Sequence, residues 1–512
     1  MTADHREVED KYDLDHAHLL PDFSTLSGVR SVSTDEQELV ATYFDTPDLA
    51  LATAGVVLRR RTGGEDAGWH LKLPMDGARL EIAVPLGRAV RNPPLALRQV
   101  VAGLARNEGL APVVTIHTDR VVHRLHGKGG VVLAEISDDR VSAESVDAEA
   151  PGPTFVTWRE AEVELVAGGR GLLEVAGELL RSVGARPADS PSKLARALGD
   201  RLVAGARPAP PTPTKKGPAT SVIQLRLLQQ VAALRRLDPW VRHDAPEAVH
   251  DMRVAVRRLR HALASYRPFL DGNVAGPLRD ELGWLAALLG GPRDAEVLHE
   301  VLRSLVADES QDLVRGPVLA RIDRDVREQY DSARADLIAG LASPRYLDLV
   351  DRLVRFADEP PWTDLAHEQA RRVLPQSLDR DWKRLRARVR AVSGLTAADD
   401  HVGHADLLHG VRKAAKRVRY AAEALLPLYR KDATRMVQAH EQIQTVLGDH
   451  HDGTEAQAAL VELGDRASAA GENAFTYGLL YGRVDARDSG TAREFERAWR
   501  SSVRARDRHR VG

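Results

Sequence analysis

The chain has 512 residues, 43% of them apolar, and its 72 Lys and Arg nearly balance 74 Asp and Glu for a net charge of −2. No global field selects polyanions, so any anion site must come from local clustering of cations. There is no cysteine, which excludes disulfides, thiol catalysis and Cys-ligated zinc, and fits a reducing compartment.

The N-terminal stretch MTADHREVEDKYDL is charged and lacks the apolar core of a secretory leader. No run approaches the ~18 apolar residues of a membrane span. A cytoplasmic protein with no membrane partner is expected, in domains of about 150 residues each. The first domain is placed at 1–204. Its text is a series of short alternating or β-branched runs: VEDKYDL, VVLRRRT, WHLKLP, LEIAVPL, VVTIHTDRVVHRL, VVLAEI and WREAEVELV. Turn signals such as Thr62-Gly63-Gly64 and Lys128-Gly129-Gly130 separate them. An antiparallel sheet or barrel follows, with helical interruptions near 94–108 and 171–183.

Charge alternates along these strands. Glu7, Glu9 and Lys11 share one face, because strand side chains point to opposite faces in turn. Arg59 and Arg61, His70 and Lys72, Arg79 and Glu81, and Glu160, Glu162 and Glu164 repeat the pattern. A solvated face with cross-strand ion pairs would explain any one of these runs. Five together suit strands closing around a wet, charged lumen. Glutamate oxygens suit Mg2+ or Mn2+, and Arg and Lys suit phosphate oxygens. That combination is what metal-assisted phosphoryl transfer requires.

Glu7-x-Glu9-x-Lys11, Tyr43-Phe44-Asp45-Thr46, Leu58-Arg59-Arg60-Arg61, Leu71-Lys72-Leu73-Pro74, Asp138-Asp139, Glu162-Val163-Glu164-Leu165 and Ser192-Lys193 together resemble the CYTH superfamily of triphosphate tunnel enzymes. The resemblance implies an eight-stranded antiparallel β-barrel over about 5–202. It implies Glu7, Glu9, Glu162 and Glu164 as metal ligands, and Lys11, Arg59, Arg61, Lys72, Arg79, Arg120 and Lys193 as triphosphate ligands. Glu7, Glu9 and Lys11 would serve catalysis, with Lys11 on phosphate or on the attacking water. Glu81 and Glu160 would stand on the metal side. Arg124 and Lys128 are further phosphate candidates. Inorganic triphosphate is the expected substrate. An organic triphosphate needs a base or thiazole pocket, and the barrel shows no aromatic set assignable to one.

The segment 205–219, with Pro208, Pro210, Pro211, Pro213 and Pro218, reads as a stiff extended linker. Beyond it, 220–505 reads as all-helical, with breaks near Pro268, Gly290–Pro292, Pro344, Pro360–Pro361 and Gly448, and a basic tail after Gly490 expected to fray. The whole is thus an α+β multidomain chain.

The helical half contains a repeat. His250, Arg253, Arg257, Arg258 and Arg260 match His409, Arg412, Lys416, Arg417 and Arg419 in spacing, and Val254 stands where the second copy has Lys413. About forty residues later come Leu289-Gly290 to Asp294 and Leu447-Gly448 to Asp452, read as turns. Duplicated helical bundles are expected. At helical spacing, His250, Arg253, Arg257 and Arg260 form one stripe, and His409, Arg412, Lys416 and Arg419 another, with Lys413 beside it. Ala255, Val256, Leu259, Ala262 and Leu263, and Val411, Ala414, Ala415, Val418, Ala421 and Ala422, form the opposite, packing faces. Cations three and four apart repel, and from Arg412 to Lys431 the sole acid is Glu423. Two facing stripes suit a repeating polyanion. Nucleic acid is disfavoured: aromatics are 4% of residues, and Tyr420 alone lies beside a stripe.

This half resembles the CHAD domain, the conserved histidine α-helical domain, whose basic helices bind inorganic polyphosphate. The tandem resembles the CYTH–CHAD proteins. It implies an inorganic triphosphatase tethered to polyphosphate, with association with polyphosphate granules as the expected location. A non-catalytic polyphosphate binder and a tunnel acting on nucleotide or thiamine triphosphate are the alternatives.

Overall fold

Period-two alternation before residue 190 produces one antiparallel sheet. Its strands are β1 (Ala3–Glu7), β2 (Glu9–Leu14), β3 (Ser31–Asp45), β4 (Val57–Thr62), β5 (Gly68–Met75), β6 (Ala78–Pro85), β7 (Ala111–His126), β8 (Val132–Ser145), β9 (Thr154–Leu165) and β10 (Arg186–Pro187). The computed structural model describes residues 3–75, 78–87, 92–146, 152–205, 212–393, 401–488 and 490–508. Of these, the side chains of 3–7, 203–205, 393, 401–406, 488, 507 and 508 are not described. The chain divides into two compact units, Met1–Pro208 and Ala209–Gly512.

The strand order is β1-β6-β5-β4-β3-β7-β8-β9-β2-β10. This is an open series of ten strands, not the eight-stranded closed barrel expected. The extra members arise because the first strand is split. β1 pairs with β6 and β2 pairs with β9, and Val8 alone separates them. Strands consecutive in the chain thus stand at one end of the order and next to the other end. Register puts opposite charges directly across from one another: Lys11 faces Glu162, Lys72 faces Glu81, and Arg120 faces Asp139.

The unit also holds helices α1 (Ala50–Thr53), α2 (Leu95–Ala105), α3 (Gly171–Ser182), α4 (Lys193–Leu198) and α5 (Asp200–Gly205). The expected interruptions are α2 and α3. On one sheet face, Tyr12, Leu125, Ile136, Ala161 and Val163 pack under Leu173, Ala176 and Leu180 of α3. On the other, Ala41, Ile116, Val141 and Trp158 pack against Leu194, Ala197 and Leu198 of α4. Period two assigns Lys11 and Glu162 to this second face. Asp45, read as part of a site motif, is structural: its carboxylate accepts the backbone N–H groups of Thr46, Leu51 and Ala52 around α1.

The second unit is helical: α6 (Ala219–Arg242), α7 (Ala248–Ser265), α8 (Gly272–Leu288), α9 (Gly290–Ala307), α10 (Val318–Ala342), α11 (Pro344–Asp358), α12 (Ala370–Ser393), α13 (His401–Ala424), α14 (Leu426–Ala469), α15 (Phe475–Asp488) and α16 (Thr491–Arg508). The predicted apolar faces of α7 and α13 are buried in one shared core. Three details differ from expectation. The last part of the Pro-rich segment is docked, with Pro218 bridged to Gln369 and Ala219 N–H donating to the Glu368 carbonyl. The tail after Gly490 is α16, seated by Phe495 and Ala498 and by Trp499 stacked on Trp382 at 5.3 Å. The second Leu-Gly motif is no turn: Gly448 to Asp452 lie inside α14.

Candidate functional site

In the N-terminal unit, β2 to β9 and the start of α4 line a cavity of about 240 Å³. Glu9, Lys11, Arg59, Arg61, Lys72, Arg79, Arg120, Glu162, Glu164 and Lys193 all face it, as do Glu81, Arg124 and Glu135. Of the expected set, Glu7 ends β1 opposite Arg79, and its side chain lies outside the described residues. Lys128 sits exposed on a short turn.

Glu162 is the hub of the charges. It accepts from Lys11, from Arg120 Nη2 at 2.8 Å, and is paired with Lys193 Nζ at 2.8 Å. Lys11 also meets Glu9 at 2.8 Å, and Arg79 meets Glu9 at 3.4 Å. Arg120 grips Asp139 with two bonds of 2.7 Å. Burial alone would raise the Glu162 pKa, but Lys11, Lys193 and Arg120 hold it well below its ordinary value. Burial likewise works against the Asp139 carboxylate, and Lys193 and Arg120 overcome it. Burial would lower the Lys11 pKa, but Glu162 and Glu9 keep it raised. For Arg61, burial and Arg59 together lower it.

Asp139, Glu160 and Glu162 bring one carboxylate oxygen each within 4.8 Å of one another. Hard oxygens at that separation fit a divalent cation such as Mg2+ or Mn2+. Of the expected quartet, Glu162 belongs to this cluster, Glu9 and Glu164 line the same cavity, and the side chain of Glu7 lies outside the described residues. Glu9 is paired with Lys11 and Arg79. Asp139 is fully buried, and Trp158 Nε1 donates to Glu160 at 2.5 Å, fixing it. Sequence reasoning noted Asp139 only as half of a pair. The discriminating signal is register: Asp138 binds Arg159, while its neighbour Asp139 faces Arg120.

In the helical unit, α7 and α13 line a groove of about 990 Å³. His250, Arg253, Arg257, Arg260, His409, Arg412, Lys413 and Lys416 all line it. Arg419 is not among its lining residues. It pairs with Glu441 at 2.9 Å and lies near Glu423 at 3.6 Å, acids that other positions on α13 and α14 supply. Arg279 and His261, which no sequence motif singled out, also line the groove, as do Arg417 of the repeat and Arg293 of the first Leu-Gly motif, both expected to lie off the stripes. The later motif supplies acids: Asp294 pairs with Arg253 at 2.8 Å, and Asp452 acts on Arg412. The His409 ring lies 5.2 Å from that of His451, tilted by 50°. Burial and then Arg412, Arg257, Arg253 and Arg419 push the Lys416 ammonium down to about 7.

The CYTH domain model matches residues 5–197 and the CHAD domain model matches 225–461. An uncharacterized protein of Mycobacterium tuberculosis, found in strains H37Rv and CDC 1551, is 36% identical over 493 residues, covering 94% of this chain and 93% of its own. Among solved structures, PptA from Streptomyces chartreusis is 21% identical with a TM-score of 0.46, covering 55% of this chain and 99% of its own. The CHAD domain from the plant Ricinus communis is 26% identical with a TM-score of 0.42, covering 56% of this chain and 96% of its own. With a sheet unit that matches one model, a helical unit that matches the other, and a relative aligned over 94% of the chain, the chain belongs to the family of CYTH–CHAD proteins.

Proposed function

We propose that the N-terminal unit hydrolyses inorganic triphosphate to pyrophosphate and phosphate, and that the helical unit binds inorganic polyphosphate. The observation that carries the first part is the cavity lining. A buried carboxylate cluster sits beside Lys11, Arg59, Arg61, Lys72, Arg79 and Arg120, and among the described residues Tyr43 is the one aromatic ring in the lining. Six cations suit the oxygens of a triphosphate. One tyrosine does not make a pocket for a base or a thiazole ring, which favours an inorganic substrate.

Asp139, Glu160 and Glu162 would hold Mg2+ or Mn2+, with Glu9 and Glu164 facing the same space. When bound, the ion neutralises phosphate charge and supplies Lewis acidity. Arg59, Arg61, Lys72 and Arg79 would fix the phosphate chain and neutralise charge on its equatorial oxygens. Lys11 would bridge the carboxylates and the substrate, and Glu9 would take a proton from the attacking water. For the helical unit, the under-compensated cations of the groove support polyphosphate, and no row of rings favours nucleic acid.

The test is phosphate release from tripolyphosphate, ATP and thiamine triphosphate with Mg2+ or Mn2+, for wild type and Glu162→Gln. Turnover of tripolyphosphate alone is expected, reduced by about a hundredfold or more in the variant. Retention of polyphosphate by both proteins is expected to be equal. No release from any substrate would leave a polyphosphate-binding protein with a silent tunnel.

A further inference from the structure

Lys193 is the first residue of α4, following the N-cap Ser192. Its ammonium does not point at the arginines across the lumen. It lies 2.8 Å from Asp139 Oδ2, 2.7 Å from Glu160 Oε1 and 2.8 Å from Glu162 Oε1. These are the same three carboxylates that bring their oxygens within 4.8 Å of one another. We propose that Lys193 is a tethered counter-cation, which a divalent ion must displace from this cluster before the ammonium can turn to an anion in the lumen. This rests on the reading of the tunnel as a metal site.

Three observations carry it. First, the cluster cannot stand without a cation. The Asp139 side chain is fully buried and that of Glu160 is 4% exposed, and buried carboxylates without a counter-charge are costly. Second, an ammonium and a divalent ion cannot share one set of oxygens, because like charges at contact distance repel strongly where water is excluded. Third, Lys193 is the cation able to leave. Arg120 is locked on Asp139 by two bonds and on Glu162 by a third. Lys11 touches Glu162 alone of the three. Lys193 is a point charge on a four-carbon stem with free rotors, and it already lines the cavity. Metal loading and delivery of Lys193 to phosphate would then be one event.

The test is a titration of the full-length protein with Mn2+ alone, followed by electron paramagnetic resonance, for wild type, Lys193→Met and Lys193→Arg. Removing the competitor is expected to tighten Mn2+ binding by about tenfold or more in Lys193→Met. Lys193→Arg, which keeps the charge, should stay within about threefold of wild type. Unchanged or weaker binding by Lys193→Met would overturn the proposal while leaving the metal site intact. No Mn2+ binding by wild type or either variant would overturn the metal reading together with it. The wild type gives a second readout that needs no variant to fold. Acylation of Lys193, measured by peptide mass spectrometry, should rise several-fold on adding Mn2+, and an unchanged or lower extent would also overturn the proposal.

Discussion

If the helical unit binds polyphosphate as proposed, Lys416 should make that affinity depend on pH around neutrality. Its ammonium is surrounded by Arg253 and Arg257 from α7 and by Arg412 and Arg419 on its own helix, and its pKa falls from 10.5 to about 7. Asp294 from α9 and Asp452 and Glu455 from α14 line the same groove. His250 and His409 are both pushed below 6.5, the first by burial and Arg293, the second by burial and Lys413, so they titrate on the acid side. A bound polyanion supplies the missing negative charge and returns Lys416 towards its ordinary value. Binding above pH 7 must therefore take up a proton. If the bound-state pKa is near 10.5, the apparent Kd rises by about 50-fold between pH 7 and pH 9, and about 0.9 proton is taken up per chain at pH 8.

Titration calorimetry in buffers of different ionisation enthalpy, at fixed ionic strength, measures both quantities. Lys416→Arg keeps the charge at every pH used, and should flatten the profile. A flat wild-type profile, or a slope surviving in Lys416→Arg, would refute the reasoning. The free protein should show the opposite trend. A depressed ammonium pKa means that the unfolded chain binds more protons between pH 7 and 10.5, so unliganded stability rises with pH through that range.

Two further predictions concern packing and acid stability. A Cβ at Gly448 would lie 3.3 Å from Arg412 Nη2 and 3.7 Å from its Cζ. Gly448→Ala should stabilise α14 by up to about 1 kcal/mol in thermal unfolding, yet weaken polyphosphate binding by about threefold to tenfold through the displaced guanidinium. Equal or tighter binding would show that Arg412 does not need that glycine. In the N-terminal unit, Asp139 and Glu162 are held below their ordinary values of 3.8 and 4.5, chiefly by Lys193, Lys11 and Arg120 acting against burial. Folded pKa values below unfolded ones give stability that is complete above about pH 5 and is lost as pH falls through the folded values. Calorimetry should show one unfolding transition weakening below that pH, less steeply in Glu162→Gln, and an acid-insensitive transition would count against these ion pairs.

Charge alternation was legible because a strand has period two: Lys11, Arg59, Arg61, Lys72, Arg79 and Glu162 reach one cavity from five strands. What alternation does not tell is which strand lies beside which. Asp138 and Asp139 are identical in composition and adjacent in sequence. Only the pairing of β7 with β8 and β8 with β9 sends one to Arg159 and the other to Arg120. β3 escaped notice for a different reason. Its first half, SVSTDEQE, has no buried residue, so no apolar pattern marks it. Main-chain pairing with β7 along its whole length holds it in the sheet. The helical stripes were legible from spacing alone, but Arg419 sits on the stripe and turns to Glu441, a residue of another helix. The Leu-Gly motif misled because glycine suggests a break. One glycine costs a helix only about 1 kcal/mol, and in α14 it lies under the guanidinium of Arg412.

The two charged sites differ in how their cations are compensated, and this sets what a ligand must do in each. In the tunnel, Lys11, Arg120 and Lys193 are each answered by two or more carboxylates, and burial is outweighed, so Lys11 stays above its ordinary pKa. In the groove, Lys416 has four arginines acting on it and no acid among its leading influences, and burial wins. An anion entering the tunnel must exchange partners with carboxylates already in place, which demands a ligand of fitting shape and a cation to take over those carboxylates. An anion entering the groove relieves a repulsion that exists before it arrives, which demands charge density and little else. On the proposed function, selectivity for one short phosphate species would therefore belong to the sheet unit, and tolerance of chain length to the helical one.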